Sequence, residues 1–435
     1  MSAADRAMGL GLRALNRFAG LDVIDRVGLR KPAERLLYRG TMAAGAASRT
    51  FAAGTRRLSR PARQAPRPAG DLFDLTPDDE QAMIRESFGS FAAERIRPAA
   101  QQADADSAAP PELLAQAAEL GIAMLGVPEE LDGPLAERAT VTSVLAAEAL
   151  AHGDMGLTVA ALAPAAVSSA LGLWGDADQQ SRYLPAFAGD DPPAAALALL
   201  EPRPLFDPLE PATRARRVNG GFSLEGTKSL VPRAADAELL LVGAQLEGRG
   251  PALFLVESST KGVLTEPEPA MGLRAAATGR LVLDDVRVDA AALIAEGAPE
   301  VYGECVRRAR LGWCTLAVGT AQAVLDYVIP YVNEREAFGE PISNRQAVAF
   351  AVADMAIELE GMRLTTWRAA ARADSGREFA RETAVARRLC SEKGMQIGSQ
   401  GVQLLGGHGF VTEHPVERWY RDLRAAGLME GAVLV

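Results

Sequence analysis

The chain has 435 residues, 48% of them hydrophobic and 23% charged, with a formal net charge of -10. That length suits two or three packed units rather than one core, that composition excludes wholesale disorder, and the acidic balance excludes general nucleic-acid binding. Three cysteines (Cys305, Cys314, Cys390) without a Cys-x-x-Cys pair exclude a disulfide framework or a thiolate zinc site, and three histidines (His152, His408, His414) are too few for a histidine-rich metal site. A reducing cytoplasm fits.

The charge is unevenly spread. Residues 1–70 hold 13 arginines and Lys31 against Asp5, Asp22, Asp25 and Glu34, a net +10, so the remaining 365 residues carry -20. This reads as a basic appendage ahead of an acidic body. The chain has only four lysines among its 46 basic residues, which fits a GC-rich, bacterial coding sequence better than any particular chemistry. Leu10, Leu12, Leu15, Phe18, Leu21 and Ile24 recur at roughly helical spacing between arginines. Three readings of the leader stay open: an amphipathic helix on an anionic membrane, a transit-type peptide, or a solvated tail that docks on a partner. Arg56 to Pro68 reads as linker.

Beyond the leader, Thr76-Pro77-Asp78-Asp79 predicts a helix start with a cap, a first-turn proline and acids. Leu113, Leu114, Ala117 and Leu120 mark another helical stripe. No residue from Met155 to Leu173 is charged, but Ala, Gly, Ser, Thr and Pro164 fill the run, which predicts buried helices rather than a membrane span. From about 212 the pattern turns to strands, with an Asn219-Gly220 hairpin signal and apolar runs at 239–242, 253–256 and 281–283. Helical periodicity returns over 301–336, 344–374 and 378–405. Helices, a small sheet, then helices predicts an α+β fold divided into a leader (1–70), a helical domain (71–190), a β domain (191–295) and a helical domain (296–435). No strand precedes a glycine-rich dinucleotide loop, so a Rossmann domain is excluded.

The chemistry-bearing motifs cluster in the last hundred residues. Glu334-Arg335-Glu336-Ala337-Phe338-Gly339-Glu340-Pro341-Ile342 is followed by Gln346; Gln403-Leu404-Leu405-Gly406-Gly407-His408-Gly409-Phe410 comes later; Pro415 to Asp422 and Met429-Glu430-Gly431 close the set. Arg335 offers a planar fork suited to a pyrophosphate, and Gly406-Gly407 removes side chains where a backbone must approach a ligand. Singly, Arg335 is equally a helix-end cation and Gly406 a helix stop.

In this order and spacing, the motifs resemble the acyl-CoA dehydrogenase family from about residue 72 onward. Upstream, Val127-Pro128-Glu129-Glu130, Tyr183-Leu184-Pro185, Glu201-Pro202, Gly226-Thr227-Lys228 and Asp285-Val286-Arg287-Val288 add to the resemblance. It implies an N-terminal helical domain, a middle β-barrel-like domain, a C-terminal four-helix bundle, FAD as cofactor, an acyl-CoA substrate, electron-transfer flavoprotein or a similar acceptor, and a dimer or dimer of dimers. It further implies that Arg335 and Phe338 reach the FAD of a neighbouring subunit, that Gln403 and Gly407 hold its adenosine end, that Gln346 and Gly406 also belong to the cofactor site, that Arg310 lines the substrate cleft, and that Glu430 is the catalytic base. No metal is implied. The chemistry requires such a base, because an α-proton must leave as hydride departs the β-carbon.

The chain departs from the family pattern where the flavin ring sits. Leu200 replaces the threonine of Thr-Glu-Pro, Arg203 to Asp207 replaces the Gly-Ser-Asp stretch, Leu230-Val231-Pro232 replaces Trp-Ile-Thr, and Ala432 replaces the threonine after Glu-Gly. At about 1 kcal/mol per lost hydrogen bond, three losses weaken FAD binding by roughly a hundredfold. Two functions therefore stand side by side: a flavin-dependent acyl-CoA dehydrogenase, or a degenerate member serving as a structural or regulatory subunit of a heteromeric or membrane-associated complex.

Overall fold

Asp78 starts the first helix by reciprocal capping: its carboxylate accepts from the Gln81 N-H at 2.8 Å, and the Gln81 side chain accepts from the Asp78 N-H at 3.2 Å. Thr76 and Pro77 therefore lie outside α1 (Asp79–Phe91), so the proline precedes the cap instead of entering the first turn. In this computed structural model residues 76–433 are described, apart from 132, 134–138 and 190, and the basic leader with its apolar stripe lies outside the described residues.

A π-helical turn over Ala92–Ile96 leads from α1 into α2 (Arg97–Asp106), followed by α3 (Pro111–Glu119), α4 (Thr140–Ala151), α5 (Met155–Trp174) and α6 (Ala177–Phe187). The expected stripe on α3 buries Leu113 and Ala117. The uncharged run, expected to form buried helices, is one continuous helix, α5, which passes through Pro164. By length and composition α5 matches a membrane span, yet most of it is buried in the protein interior. Asp154 caps α5 through the Leu157 N-H and pairs its other oxygen with Arg418 at 2.8 Å, which ties this helix to the C-terminal region.

Seven strands form one mixed sheet: β1 (Ala195–Ala198), β2 (Arg214–Val218), β3 (Gly221–Val231), β4 (Leu239–Leu246), β5 (Gly250–Glu257), β6 (Val263–Pro267) and β7 (Gly279–Asp289). The Asn219-Gly220 signal is the β2–β3 hairpin, with Val218 opposite Gly221 and Gly220 at φ 84°. β1 was not legible in the sequence. It pairs in parallel with Leu239–Val242 of β4, and β2 pairs in parallel with Gln245 and Leu246 farther along the same strand, while β5 runs antiparallel to β4. Apolar side chains from β3, β4, β5 and β7 pack together, with the Phe222 and Phe254 rings edge-to-face at 5.3 Å.

The last third is helical: α7 (Pro299–Glu334), a short β8–β9 hairpin (Glu336–Ala337, Glu340–Pro341), α8 (Gln346–Asp374), α9 (Ala380–Leu405), α10 (Val416–Leu423) and α11 (Ala425–Leu428). The three long helices end within two residues of the expected bounds. α7, α8 and α9 pack on one another, α10 lies against α7 and α9, and α7 also crosses α4. That crossing is tight: a Cβ on Gly319 would stand 2.2 Å from the Glu148 carbonyl oxygen. Gly319→Ala must therefore push α4 and α7 apart, and a loss of about 1–3 kcal/mol is expected from overpacking, read as a lower urea midpoint with unchanged slope. An unchanged midpoint would refute the tight crossing.

Candidate active site

Glu430 sits in a turn whose backbone is gripped on three consecutive carbonyls. Arg387 on α9 donates from Nη2 to the Met429 carbonyl at 2.7 Å and also to that of Gly431, while Arg310 on α7 donates from Nε to the Glu430 carbonyl at 3.0 Å. The grip supports a left-handed Glu430, φ 56°. Gly431, at φ 97°, has no room for a Cβ, which would lie 2.6 Å from Pro208 and 2.8 Å from the Phe206 carbonyl oxygen. Thus Phe206, in the stretch where the sequence departs from the family pattern, and the following Pro208 pack directly against the Glu430 turn.

Glu430 is 6% exposed. Its Oε1 accepts from the Trp313 indole N-H at 3.3 Å, and its Oε2 is buried without a partner among the described residues. Burial pushes the carboxyl above its ordinary range, and the Trp313 hydrogen bond with the Arg387, Arg310 and Lys228 cations pulls the other way. A buried carboxyl with a raised pKa beside an apolar space is suited to accepting a proton.

That space is a cavity of about 330 Å³ between α4, α5, α7 and the sheet, with Val144, Leu162, Ala166, Leu200, Leu230 and Trp313 in its wall and Glu430 opening onto it. Arg310 is not in this wall; it donates to the Glu430 carbonyl, and its Nη2 is buried without a partner among the described residues. Leu200, Leu230 and Pro232, the residues that replace polar or aromatic family groups, do line the cavity. The neighbouring Ser229 hydroxyl is committed elsewhere, since it lies 2.9 Å from a Glu268 oxygen, and the Leu230 N-H donates to the other oxygen of Glu268 at 2.7 Å.

Beside the cavity, Lys228 and Glu201 form a buried ion pair at 2.8 Å. Glu201 also accepts from the Ala212 and Thr213 N-H groups and from the Thr213 hydroxyl, whereas among the described residues Lys228 has one further acceptor, the Leu199 carbonyl at 3.2 Å. Burial works against both charges. For Glu201, Lys228 and the other donors outweigh it and hold the carboxyl below its usual range; for Lys228, burial wins and lowers the ammonium.

A second cavity, about 350 Å³, brings together Arg335, Gln403, Gly406 and Gly407 with Tyr331, Ile342 and His408. Gly406 ends α9 at φ 59° and ψ -130°, a conformation open essentially only to glycine, and a Cβ at either glycine would project into open space. The result is bare backbone facing a cavity edged by one guanidinium. Phe338 and Gln346 are not in its wall: Phe338 is 97% exposed at the β8–β9 turn, and Gln346 is exposed at the start of α8.

Trp313 and Arg387 were missed by sequence reasoning. The signal for Trp313 was its place three residues after Arg310, on the same helical face; for Arg387, a cation between Ala386 and Cys390 on a buried stripe.

The chain matches the family profiles described as acyl-CoA dehydrogenase N-terminal domain over residues 78–191, middle domain over 196–286 and C-terminal domain over 299–433. The mitochondrial short-chain specific acyl-CoA dehydrogenase of Mus musculus is 32% identical over 367 residues, spanning 82% of this chain and 87% of the relative. Butyryl-CoA dehydrogenase of Megasphaera elsdenii superposes with a TM-score of 0.77 at 26% identity, over 83% of this chain and 97% of that one. A glutaryl-CoA dehydrogenase of Mycobacterium smegmatis, solved in complex with FADH2, gives 0.74 at 26% identity, over 82% and 92%. With its three-part architecture, a buried Glu430 over an apolar cavity, and these matches, the chain belongs to the acyl-CoA dehydrogenase family.

Proposed function

We propose that the protein is a FAD-dependent oxidoreductase that removes hydrogen from Cα and Cβ of an acyl-CoA thioester, with Glu430 as the base. The observation that carries this reading is the setting of Glu430: a buried carboxyl, held by its backbone on two guanidiniums, with one oxygen unpartnered beside an apolar cavity. The residues fit the cofactor best at its adenosine end, where Gly406 and Gly407 offer bare backbone and Arg335 a fork for the pyrophosphate, with Gln403 alongside. At the ring end the walls are apolar, through Leu200, Leu230 and Pro232. FAD, when bound, supplies the acceptor for the hydride leaving Cβ. Glu430 takes the α-proton and the apolar walls exclude competing water, while Arg310 holds the turn that carries the base through the Glu430 carbonyl. Exposed Phe338 and Gln346 suit contact with a cofactor held by a second subunit, and electrons pass to electron-transfer flavoprotein or a similar acceptor.

One observation favours the second reading, a non-catalytic subunit: Leu200, Leu230 and Pro232 stand where the family has polar or aromatic groups, and the Ser229 hydroxyl beside them is committed to Glu268. The test separates the two. Gently purified protein is expected to show flavin absorbance, bleached anaerobically by butyryl-CoA, the probe suggested by the short-chain relatives. A protein that stays colourless with excess FAD would establish the subunit reading instead.

A further inference from the structure

We propose that Trp313 is a positioning residue for the base: its indole N-H pins Oε1 of Glu430 and leaves Oε2 as the oxygen that takes the α-proton. The inference rests on Glu430 being the base. Trp313 and Arg310 lie three residues apart on α7 and so share a face. From that face Arg310 holds the Glu430 carbonyl at 3.0 Å and Trp313 holds the carboxylate at 3.3 Å, so one rigid helix fixes both ends of the same residue. An indole is a donor only, which makes this bond a bond to the ionised or accepting face of the carboxyl in every protonation state. Trp313 is itself buried in the core formed with Met429, Leu200 and Phe206, so the donor has little freedom to move.

The groups facing the carboxyl from every side are few. Arg310 reaches it from α7, Arg387 from α9 and Lys228 from β3, all as cations that make no hydrogen bond to the carboxylate. Tyr302 and Cys305, also on α7, are pushed well up by burial and stay neutral. The indole is thus the single hydrogen-bond donor to this carboxylate among the described residues. Removing it takes away an interaction that favours the charged form, so the carboxyl rises further and the base is protonated to a higher pH.

Trp313→Phe in the holoprotein tests this, with anaerobic bleaching by butyryl-CoA followed as a function of pH. The acid limb of the rate profile is expected to move up by about one pH unit, so that the rate on that limb falls about tenfold at fixed pH, with flavin content unchanged. Replacement of Trp313 by benzothienylalanine keeps the bicyclic shape, removes only the N-H, and should give the same shift if Trp313→Phe fails to fold. A limb that stays at the wild-type pH, or moves down, in a flavin-loaded variant overturns the proposal, because a packing role alone would not move it. The two readings fail separately: if Glu430→Gln bleaches normally, Glu430 is not the base, whereas an inactive Glu430→Gln with an unmoved Trp313 limb removes only the positioning role.

Discussion

Glu430→Gln should slow flavin bleaching by acyl-CoA by about 10²- to 10⁴-fold, the usual contribution of positioned proton transfer, while flavin per chain stays at the wild-type value. The substitution suits this test because little else depends on the charge. Arg387 and Arg310 bind the carbonyls of Met429, Glu430 and Gly431, which glutamine retains, and the glutamine oxygen still accepts from Trp313. What is lost is the ability to take a proton. Because burial raises the carboxyl, the wild-type rate should rise with pH through that raised value and fall as acid protonates the base. Bleaching of the variant at the wild-type rate would remove Glu430 from the chemistry.

Glu201→Leu should destabilise the protein by about 3–5 kcal/mol, the cost of leaving one partner of a buried pair uncompensated. The effect should be asymmetric. Without Glu201, the fully buried Lys228 keeps only the Leu199 carbonyl, and the Ala212 and Thr213 N-H groups lose their acceptor. Without Lys228, Glu201 still has those two N-H groups and the Thr213 hydroxyl. Lys228→Met is therefore expected to cost less than Glu201→Leu, as compared by urea midpoints. The sign with pH follows from Glu201, whose folded carboxyl lies below its usual range: its contribution is present above the ordinary carboxylate pKa and is lost as pH falls through the folded value. Equal costs for the two variants would show that the pair is not held as described.

Much of the architecture was written locally. The 3.6-residue period over 301–336, 344–374 and 378–405 located α7, α8 and α9, because each helix buries a stripe that its own spacing defines. Asn219-Gly220 located the β2–β3 turn, since a glycine accepts the positive φ needed there. Glu430, Arg335, Gln403 and Gly406-Gly407 were legible as candidates because they lie in motifs of fixed order. β1 was not, because four residues of Ala and Leu carry no period, and that strand exists through its parallel partner β4.

What the sequence by itself determined was the order of helices and strands, the motif that places Glu430 after Met429, and the departures at Leu200, Leu230 and Pro232. Only the tertiary structure decided that Trp313 meets Glu430 across 117 positions, that Arg387 and Arg310 converge on one turn, and that Arg310 is not among the residues lining the cavity. The physical reason is one of range. Caps, turns and periodicity are settled between residues a few positions apart, whereas a carboxylate's neighbours, its desolvation and hence its proton affinity depend on which helices pack around it.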